Sequence, residues 1–532
     1  MVMRLYPDED HAQETVPQRA GANNLRTRPR FNRAGRKMKR GRAEKRILLA
    51  LVLLLVVLFG RRANAYSLLT HEELIDLNWK NSIVPLLLSR YPNLTPAQLE
   101  EARAYAYGGC VIQDMGYYPY GDKTFSNLTH YVRSGDFVVN LFRNARNADE
   151  LAFAVGALSH YVGDSIGHSE ATNLSVPVEF PGLRAKYGRE VNYAQGERQH
   201  VQTEFAFDID QIEHHHMAPV RFLRHIGLKV PTKQLALAYY QTYGLSDEFS
   251  PRKRRFNVGE YRFVVHTFIP RIAYAITLLN RRHDPTELVT PDAAEIDREV
   301  AVVASENDWK KYSRHAGIGT YALAGVLFIL PKFGPFKLID VKGPTLATET
   351  EYLHSVLEST AILHRMLARF TLPAIALTSA AQAGDPVSIT QSSQAIPAVI
   401  IAGPDSLLLS RDPRHLLPNR DLDTGRVVQP GGYPLTDSTY ADLLHRLTHR
   451  PTQPIPSGIK LDIQAYYADP NAPITTKQDQ AQWAQVQADL AILAAMPTSI
   501  EPQPYPTYGD DAPASTESAL RLADSLSFNR GG

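Results

Sequence analysis

Five residues within one stretch of the chain are spaced so that they can hold metal ions. His160, Asp164 and His168 lie four apart, and His200 and Glu204 repeat that interval after a polar break. On an α-helix, residues four apart project from the same face. An imidazole and a carboxylate so placed can grip one cation, as the two histidines of a helical HExxH do. Two such pairs, with His168 between them, offer more donors than one ion needs, which points to a multinuclear zinc site. The single cysteine, Cys110, excludes a cysteine-based zinc site and an intramolecular disulfide, leaving His, Asp and Glu as ligands. His71, Asp114 and His130 complete an ordered series, H…D…H…HxxxDxxxH…HxxxE. Each of these residues alone has an ordinary explanation, a hydrogen-bonded core histidine or a turn aspartate. The joint order carries the signal.

The elements that must position these residues read as helices. The apolar spacing from Leu68 to about Arg90 is helical. Thr95, Pro96 and Gln98 form a capping box with proline at the first helical position, opening a helix to about Tyr107 that Gly108-Gly109 should break. The Tyr/Gly/Pro-rich stretch from Gln113 to His130 reads as an irregular loop carrying Asp114, with Tyr117, Tyr118 and Tyr120 either lining a substrate cleft or packing beneath the loop. Asn147 caps the next helix, which carries His160 and Asp164. Gly167 to Glu197 is polar and punctuated by Gly and Pro, so a surface loop is expected, before helix resumes over Gln199–Ile212 with His200 and Glu204. Histidines favour helix C-termini, so His214-His215-His216 is expected to be a solvated cap rather than a further metal site. Further helical patterns occupy 218–280, 294–312 and 349–370, and 317–330 is an apolar run too short to span a bilayer comfortably.

At these residues the chain resembles the zinc-dependent phospholipase C family, whose fold is shared with the S1/P1-type nucleases. The matching positions are Tyr66-Ser-Leu-Leu-Thr-His71, then Asp114 and His130, then His160-Tyr-Val-Gly-Asp164-Ser-Ile-Gly-His168, then His200-Val-Gln-Thr-Glu204. The resemblance is strong over about 66–210 and weaker to 280. It implies an all-α, multi-helix phospholipase C/P1 nuclease-like catalytic domain holding two to three zinc ions. One zinc would sit between Asp114, His130, His160 and Asp164, and another between His168, His200 and Glu204. A third would use His71, a shared oxygen of Asp164, and the amine and carbonyl of Tyr66 as the mature N-terminal residue. Tryptophan is usual at that position in the family, but backbone atoms do the ligating. Asp114 is also the implied catalytic residue, orienting the attacking water. Zinc lowers the pKa of a bound water and polarises phosphoryl oxygens, so the implied reaction is phosphodiester hydrolysis.

The resemblance alone leaves the substrate open between phospholipid at a membrane surface and nucleic acid. The HxxxE pair is of the phospholipase type, whereas the five-residue interval from Tyr66 to His71 is closer to the nucleases. Charge favours lipid. Residues 1–65 carry 15 Lys/Arg against 5 Asp/Glu, which leaves the rest of the chain at net −8, unsuited to sequence-independent gripping of nucleic acid. The reading is therefore a phospholipase C, with a single-strand nuclease as its rival. A catalytically idle, metal-binding surface protein is the reading from another class.

The N-terminus reads as an address. The 13-residue apolar run 47–59 follows a basic cluster and precedes Ala63-Asn64-Ala65, the pattern of a secretory signal cleaved before Tyr66. Secretion or periplasmic export follows, or membrane anchoring if the segment is uncut. Residues 1–37 read as a disordered basic lead or as a mis-assigned start, and 38–65 as the signal. The catalytic domain is expected over 66–280 and a helical continuation over 281–379. A looser, partly disordered Pro/Gly-rich extension over 380–532 should carry short helices near 439–447 and 478–494.

Overall fold

Asn147 begins the helix around which the rest is arranged. The computed structural model describes residues 68–118, 121–214, 223–224, 227–245, 251–280, 290–304, 313–314, 320–321, 323–325, 343–370 and 414–499. The signal-like segment, Tyr66, Tyr120, His215, His216 and most of the apolar run 317–330 lie outside them. The helices in chain order begin with α1 (Leu68–Asn78), α2 (Val84–Arg90), α3 (Pro96–Gly109), α4 (Lys123–Tyr131), α5 (Ser134–Arg143) and α6 (Ala148–Gly167). Next come α7 (Asn173–Glu179), α8 (Pro181–Tyr187), α9 (Tyr193–His214), α10 (Thr232–Tyr243), α11 (Pro251–Phe263) and α12 (Ile269–Asn280). After these come α13 (Pro291–Ala304), α14 (Leu346–Phe370), α15 (Pro434–Thr448), α16 (Ser457–Tyr466) and α17 (Gln480–Ala495). Among the described residues the strands are two-residue pairs only: β1 (Leu223–Arg224) with β2 (Ser313–Arg314), β3 (Arg420–Asp421) with β4 (Arg426–Val427), and β5 (Ile455–Pro456) with β6 (Thr498–Ser499). The fold is all-α. No helix among the described residues is long and apolar enough to cross a membrane.

In α6 the Asn147 side chain accepts the Glu150 N–H, and nineteen of its residues from Ala148 to Gly167 are buried, all but Asp149. A helix apolar all round must be the centre of its bundle. α3, α5 and α14 pack around it, α3 most extensively. The Thr95–Gln98 capping box forms as expected. Gly108 and Gly109 do not break α3; they form its last turn. A Cβ on Gly109 would lie 2.1 Å from the Phe153 carbonyl oxygen of α6, so glycine is there for close helix approach. On the opposite side, Leu74, Leu77, Phe207, Ile296, Tyr352 and Val356 join α1, α9, α13 and α14 in one apolar cluster. The Phe207 and Tyr352 rings stack at 4.5 Å within it.

Two expected loops are helical. Between Gln113 and His130 a 3₁₀ turn (Ile112–Gly116) leads to α4, whose N-terminus Asp122 caps by accepting the Thr124 N–H. Phe125, Leu128 and Thr129 are buried at helical spacing beneath a composition that reads as a turn. Between Gly167 and Glu197 the chain continues from α6 through a π-helical turn (His168–Thr172) into α7 and α8. Burial of Ala171, Asn173 and Val176 there outweighs the polar sequence.

The described part of the C-terminal extension, 414–499, has its own core. Tyr440, Leu443, Leu444, Leu447, Ile459, Ile463, Val486 and Leu493 are buried between α15, α16 and α17, and the Tyr440 and Tyr466 rings stack at 3.8 Å. α15 also packs on α4. An ion network joins this unit to α5. The Arg133 Nε lies 2.8 Å from Asp136 and 2.9 Å from Asp462, and His415 Nδ1 lies 2.8 Å from Asp136. Asp136, His415 and Asp462 are close enough to hold a cation, but the Arg133 guanidinium already lies between the two carboxylates.

Burial opposes both charges in this network, yet Arg133 and His415 hold the Asp136 carboxyl down at about 2. Asp136 and Asp462 in turn raise the His415 imidazole to about 10. The raised histidine stabilises the fold fully below its ordinary pKa of about 6.5, and that contribution is lost as pH climbs towards about 10. The depressed aspartate contributes above the ordinary carboxylate range, and its share is lost as pH falls towards about 2. Thermal melts of wild type and His415→Asn between pH 6.5 and 10 should therefore converge at the alkaline end. Parallel curves would show that His415 carries no charge in the fold.

Candidate metal centre

Five segments deliver the site. α1 brings His71, the 3₁₀ turn after α3 brings Asp114, and α4 brings His130. α6 and the π-helical turn that continues it bring His160, Asp164 and His168, and α9 brings His200 and Glu204. All eight side chains are buried. Their donor atoms fall into three groups, the first two sharing His160: His71, His160 and Asp164; Asp114, His130 and His160; and His168, His200 and Glu204. Tyr66 lies outside the described residues.

Asp164 is the hub of the first two groups. Its Oδ1 is 3.1 Å from His71 Nε2, and its Oδ2 is 3.1 Å from His160 Nε2 and 3.4 Å from His130 Nε2. Asp114 Oδ1 lies 3.3 Å from the same His130 nitrogen. In the third group Glu204 Oε1 lies 3.0 Å from His168 Nε2 and 2.9 Å from His200 Nε2. Both oxygens of Asp114 and Asp164, and Oε2 of Glu204, are buried without an aligned hydrogen-bond donor. Leaving buried carboxylate oxygens so costs several kcal/mol unless a cation takes them. Ligands about 2.0–2.1 Å from a tetrahedral zinc stand roughly 3–3.5 Å apart, the spacing found here. The donor set is nitrogen and oxygen throughout, and it fits zinc.

On three of the histidines the other ring nitrogen is held from outside. His130 Nδ1 donates to the Ser126 carbonyl at 2.7 Å and His160 Nδ1 to the Cys110 carbonyl at 3.1 Å. His168 Nδ1 donates to the Leu422 carbonyl at 2.9 Å. Because a carbonyl only accepts, each bond fixes the proton on Nδ1 and leaves Nε2 facing inward, as metal-ligating histidines require. Cys110 serves through its backbone and not its thiol.

Electrostatics follow from this crowding. Burial alone would raise the Asp164 carboxyl, but the His160 and His168 imidazoles override it and hold it well below the usual range. Burial, the largest influence, pushes the Asp114 carboxyl up. Burial disfavours charged His130 and His168, yet the adjoining carboxylates raise both to about 10, so without metal each holds an extra proton at neutral pH. Burial is likewise outweighed at Glu204, whose carboxyl His200 and His168 hold down.

Residues 70–247 match the family model described as zinc dependent phospholipase C. Over this segment the chain is similar to zinc-dependent phospholipase C domains. The family is one of zinc-dependent phosphodiester hydrolases that act on phospholipids, and the match spans the described candidate ligands from His71 to Glu204. No curated protein and no solved structure matches the chain.

Several residues around this site have no motif that marks them. Asp208, one turn beyond Glu204 on α9, accepts the Leu69 and Thr70 N–H groups at 2.9 and 3.1 Å, and so pins the start of α1 beside His71. Its i, i+4 spacing from Glu204 was the available clue. The Tyr193 ring stands perpendicular to His200 at 5.5 Å, and Tyr117 lies 5.2 Å from the His130 ring. Tyr118 turns instead towards Tyr261, with ring centroids 6.1 Å apart, and both Tyr117 and Tyr118 are buried. His214 is not a solvated cap. It is mostly buried, with Nδ1 3.5 Å from Asp210 and 3.6 Å from Glu349.

Proposed function

We propose that the protein is an exported phospholipase C that binds two to three zinc ions and cleaves the head groups of glycerophospholipids. The carrying observation is the hub at Asp164, a buried carboxylate presented to three imidazoles from α1, α4 and α6 with no aligned donor for either oxygen. Asp114, His130, His160 and Asp164 would hold one ion, and His168, His200 and Glu204 a second with a position left for water. His71, Asp164 and the terminal amine and carbonyl of Tyr66 would hold a third, which makes cleavage after Ala65 a condition of completing the site. Zinc bound there would acidify a water and polarise the phosphoryl oxygens.

The protein's own residues orient this chemistry. Asp114, one oxygen turned to His130 and the other buried without an aligned donor, would accept a hydrogen bond from the attacking water and align it on phosphorus. The bond from phosphorus to the glycerol oxygen breaks, and that oxygen takes a proton to leave diacylglycerol and a phosphorylated head group. The Nδ1 hydrogen bonds of His130, His160 and His168 keep three imidazoles from rotating during the reaction. Tyr117 and Tyr193, against His130 and His200, would form aromatic walls of the cleft.

Parallel assays of the purified mature protein on phosphatidylcholine vesicles and on single-stranded DNA test this reading, with metal analysis on the same sample. Hydrolysis of lipid with two to three zinc per chain is expected. Activity on DNA alone would move the protein to the nuclease reading, zinc without turnover to the idle binding protein, and absence of zinc would end the proposal.

A further inference from the structure

The site described so far lies within residues 70–247, yet one of its histidines is oriented by residue 422. We propose that the β3–β4 hairpin of the C-terminal extension is a positioning element of the zinc centre, with Asp423 the residue that holds it in place. This rests on the zinc reading above and extends it to a part of the chain beyond the family match.

Leu422 touches two of the three donor groups through its backbone. Its carbonyl accepts the His168 Nδ1–H at 2.9 Å, and its N–H donates to the His130 carbonyl at 3.1 Å. One residue therefore fixes the tautomer of a histidine in the third group and the main chain of a histidine in the second. A shift of the hairpin by about 1 Å would break the first bond, since a hydrogen bond at 2.9 Å is lost beyond roughly 3.5 Å.

Asp423 prevents that shift. Its Oδ2 accepts the Tyr131 hydroxyl at 2.8 Å and the Tyr433 hydroxyl at 2.7 Å. Its backbone carbonyl accepts the Asn173 Nδ2 at 2.8 Å, which ties the turn to α7 just past His168. Tyr433 in turn receives the Ala194 N–H at the start of α9, the helix of His200 and Glu204. The Asp423 Oδ1 is 4.0 Å from His168 Nδ1, adding negative charge beside the imidazole without competing for its proton. The turn also approaches α6 closely. Gly425 has φ +65°, and a Cβ there would lie 2.2 Å from the Ser165 carbonyl, so glycine meets both the left-handed conformation and the contact. At the hairpin's start, Tyr161 on α6 donates to the Pro418 carbonyl at 2.7 Å and Ser134 Oγ donates to the Arg420 carbonyl at 2.8 Å. Incidental packing of an appended unit would not concentrate its polar contacts on the neighbours of site histidines.

The test uses the full purified chain as wild type, Asp423→Ala, Asp423→Asn and Tyr433→Phe, each titrated with a chromophoric zinc chelator and followed by its absorption after cobalt substitution. Orienting partners of metal-bound histidines are worth about 10- to 100-fold in metal affinity. Asp423→Ala is expected to weaken one zinc equivalent by about that factor, to leave the others at wild-type affinity, and to change the cobalt spectrum. Asparagine, which still accepts from a phenol, should restore most of the loss, and Tyr433→Phe should show a smaller weakening of the same equivalent. Unchanged affinities in Asp423→Ala, or equal weakening of every ion with a general fall in stability, would overturn the proposal. If Asp423→Ala does not fold, Tyr433→Phe decides, and wild-type affinity in that variant overturns it. A wild-type protein free of zinc fails the functional reading itself, whereas a wild type that binds zinc with indifferent variants fails only this inference.

Discussion

Asp164→Asn is expected to abolish turnover while leaving the helical fold in place. The substitution preserves volume in a site where neither oxygen is exposed, so packing of α6 against α3 and α1 should survive. What it removes is a carboxylate shared by His71, His130 and His160. An asparagine also turns an NH₂ towards imidazole nitrogens that must present lone pairs to a metal. Outer partners of metal ligands alone are worth about 10- to 100-fold in affinity, so losing a charge common to two groups should lower hydrolysis of a chromogenic phosphodiester at least about 10³-fold. Zinc content should fall in the same sample, with the equivalent at His168, His200 and Glu204 retained. A variant that keeps its full zinc complement and more than a tenth of the activity would remove Asp164 from the centre of the reaction.

Stripping the metal is expected to have the largest effect on stability. The emptied site holds three carboxylates and five imidazoles, all buried. A ligand at 1,000 times its Kd stabilises by about 4 kcal/mol, and for a domain of this size that is worth roughly 8–16 °C in Tm. Chelation should therefore lower the midpoint of a thermal melt by about that much, reversibly on returning zinc. The loss should depend on pH. His130 and His168 are raised to about 10 by their carboxylate neighbours, so the metal-free protein keeps their stabilisation below about 6.5 and loses it as pH rises towards 10. At each of the two groups the ion must displace one such proton, so zinc affinity there should climb with pH, by up to about tenfold per pH unit while that proton is bound. Calorimetry in buffers of different ionisation enthalpy counts the released protons. No proton release at pH 7 would mean that these imidazoles are neutral before metal enters.

Much of this centre was legible because its donors obey helical periodicity. The pairs His160–Asp164 and His200–Glu204 had to share a helix face once their segments were read as helices, and both do. Asp114 and His130 were harder, since turn-rich composition concealed α4, where buried Phe125 and Leu128 override local preference. The long-range partners were not legible at all. Asp208 is an ordinary acid within a helix until α1 lies across it. Leu422 acts through its backbone, which leaves no trace in a side-chain pattern. Asp423 sits in a stretch whose Pro, Gly and Asp content reads as linker. Composition describes how a segment behaves alone, and residues 414–499 are held by contacts with helices hundreds of positions earlier.

Those contacts set an order of events in time. The bond from His168 to the Leu422 carbonyl spans 254 positions, and the one from Leu422 to the His130 carbonyl spans 292. At about 5–20 residues per second, a ribosome needs roughly 10–50 s to make the chain between His168 and Leu422. For all of that interval the nascent chain can wind α6 and α9, whose contacts are local, but it cannot lock the His168 ring. Capture of the ion at that ring therefore belongs to the end of synthesis, after the slow non-local closure that contact order makes rate-limiting. Until then the His168 ring of the emerging chain is without the carbonyl that orients it in the finished fold.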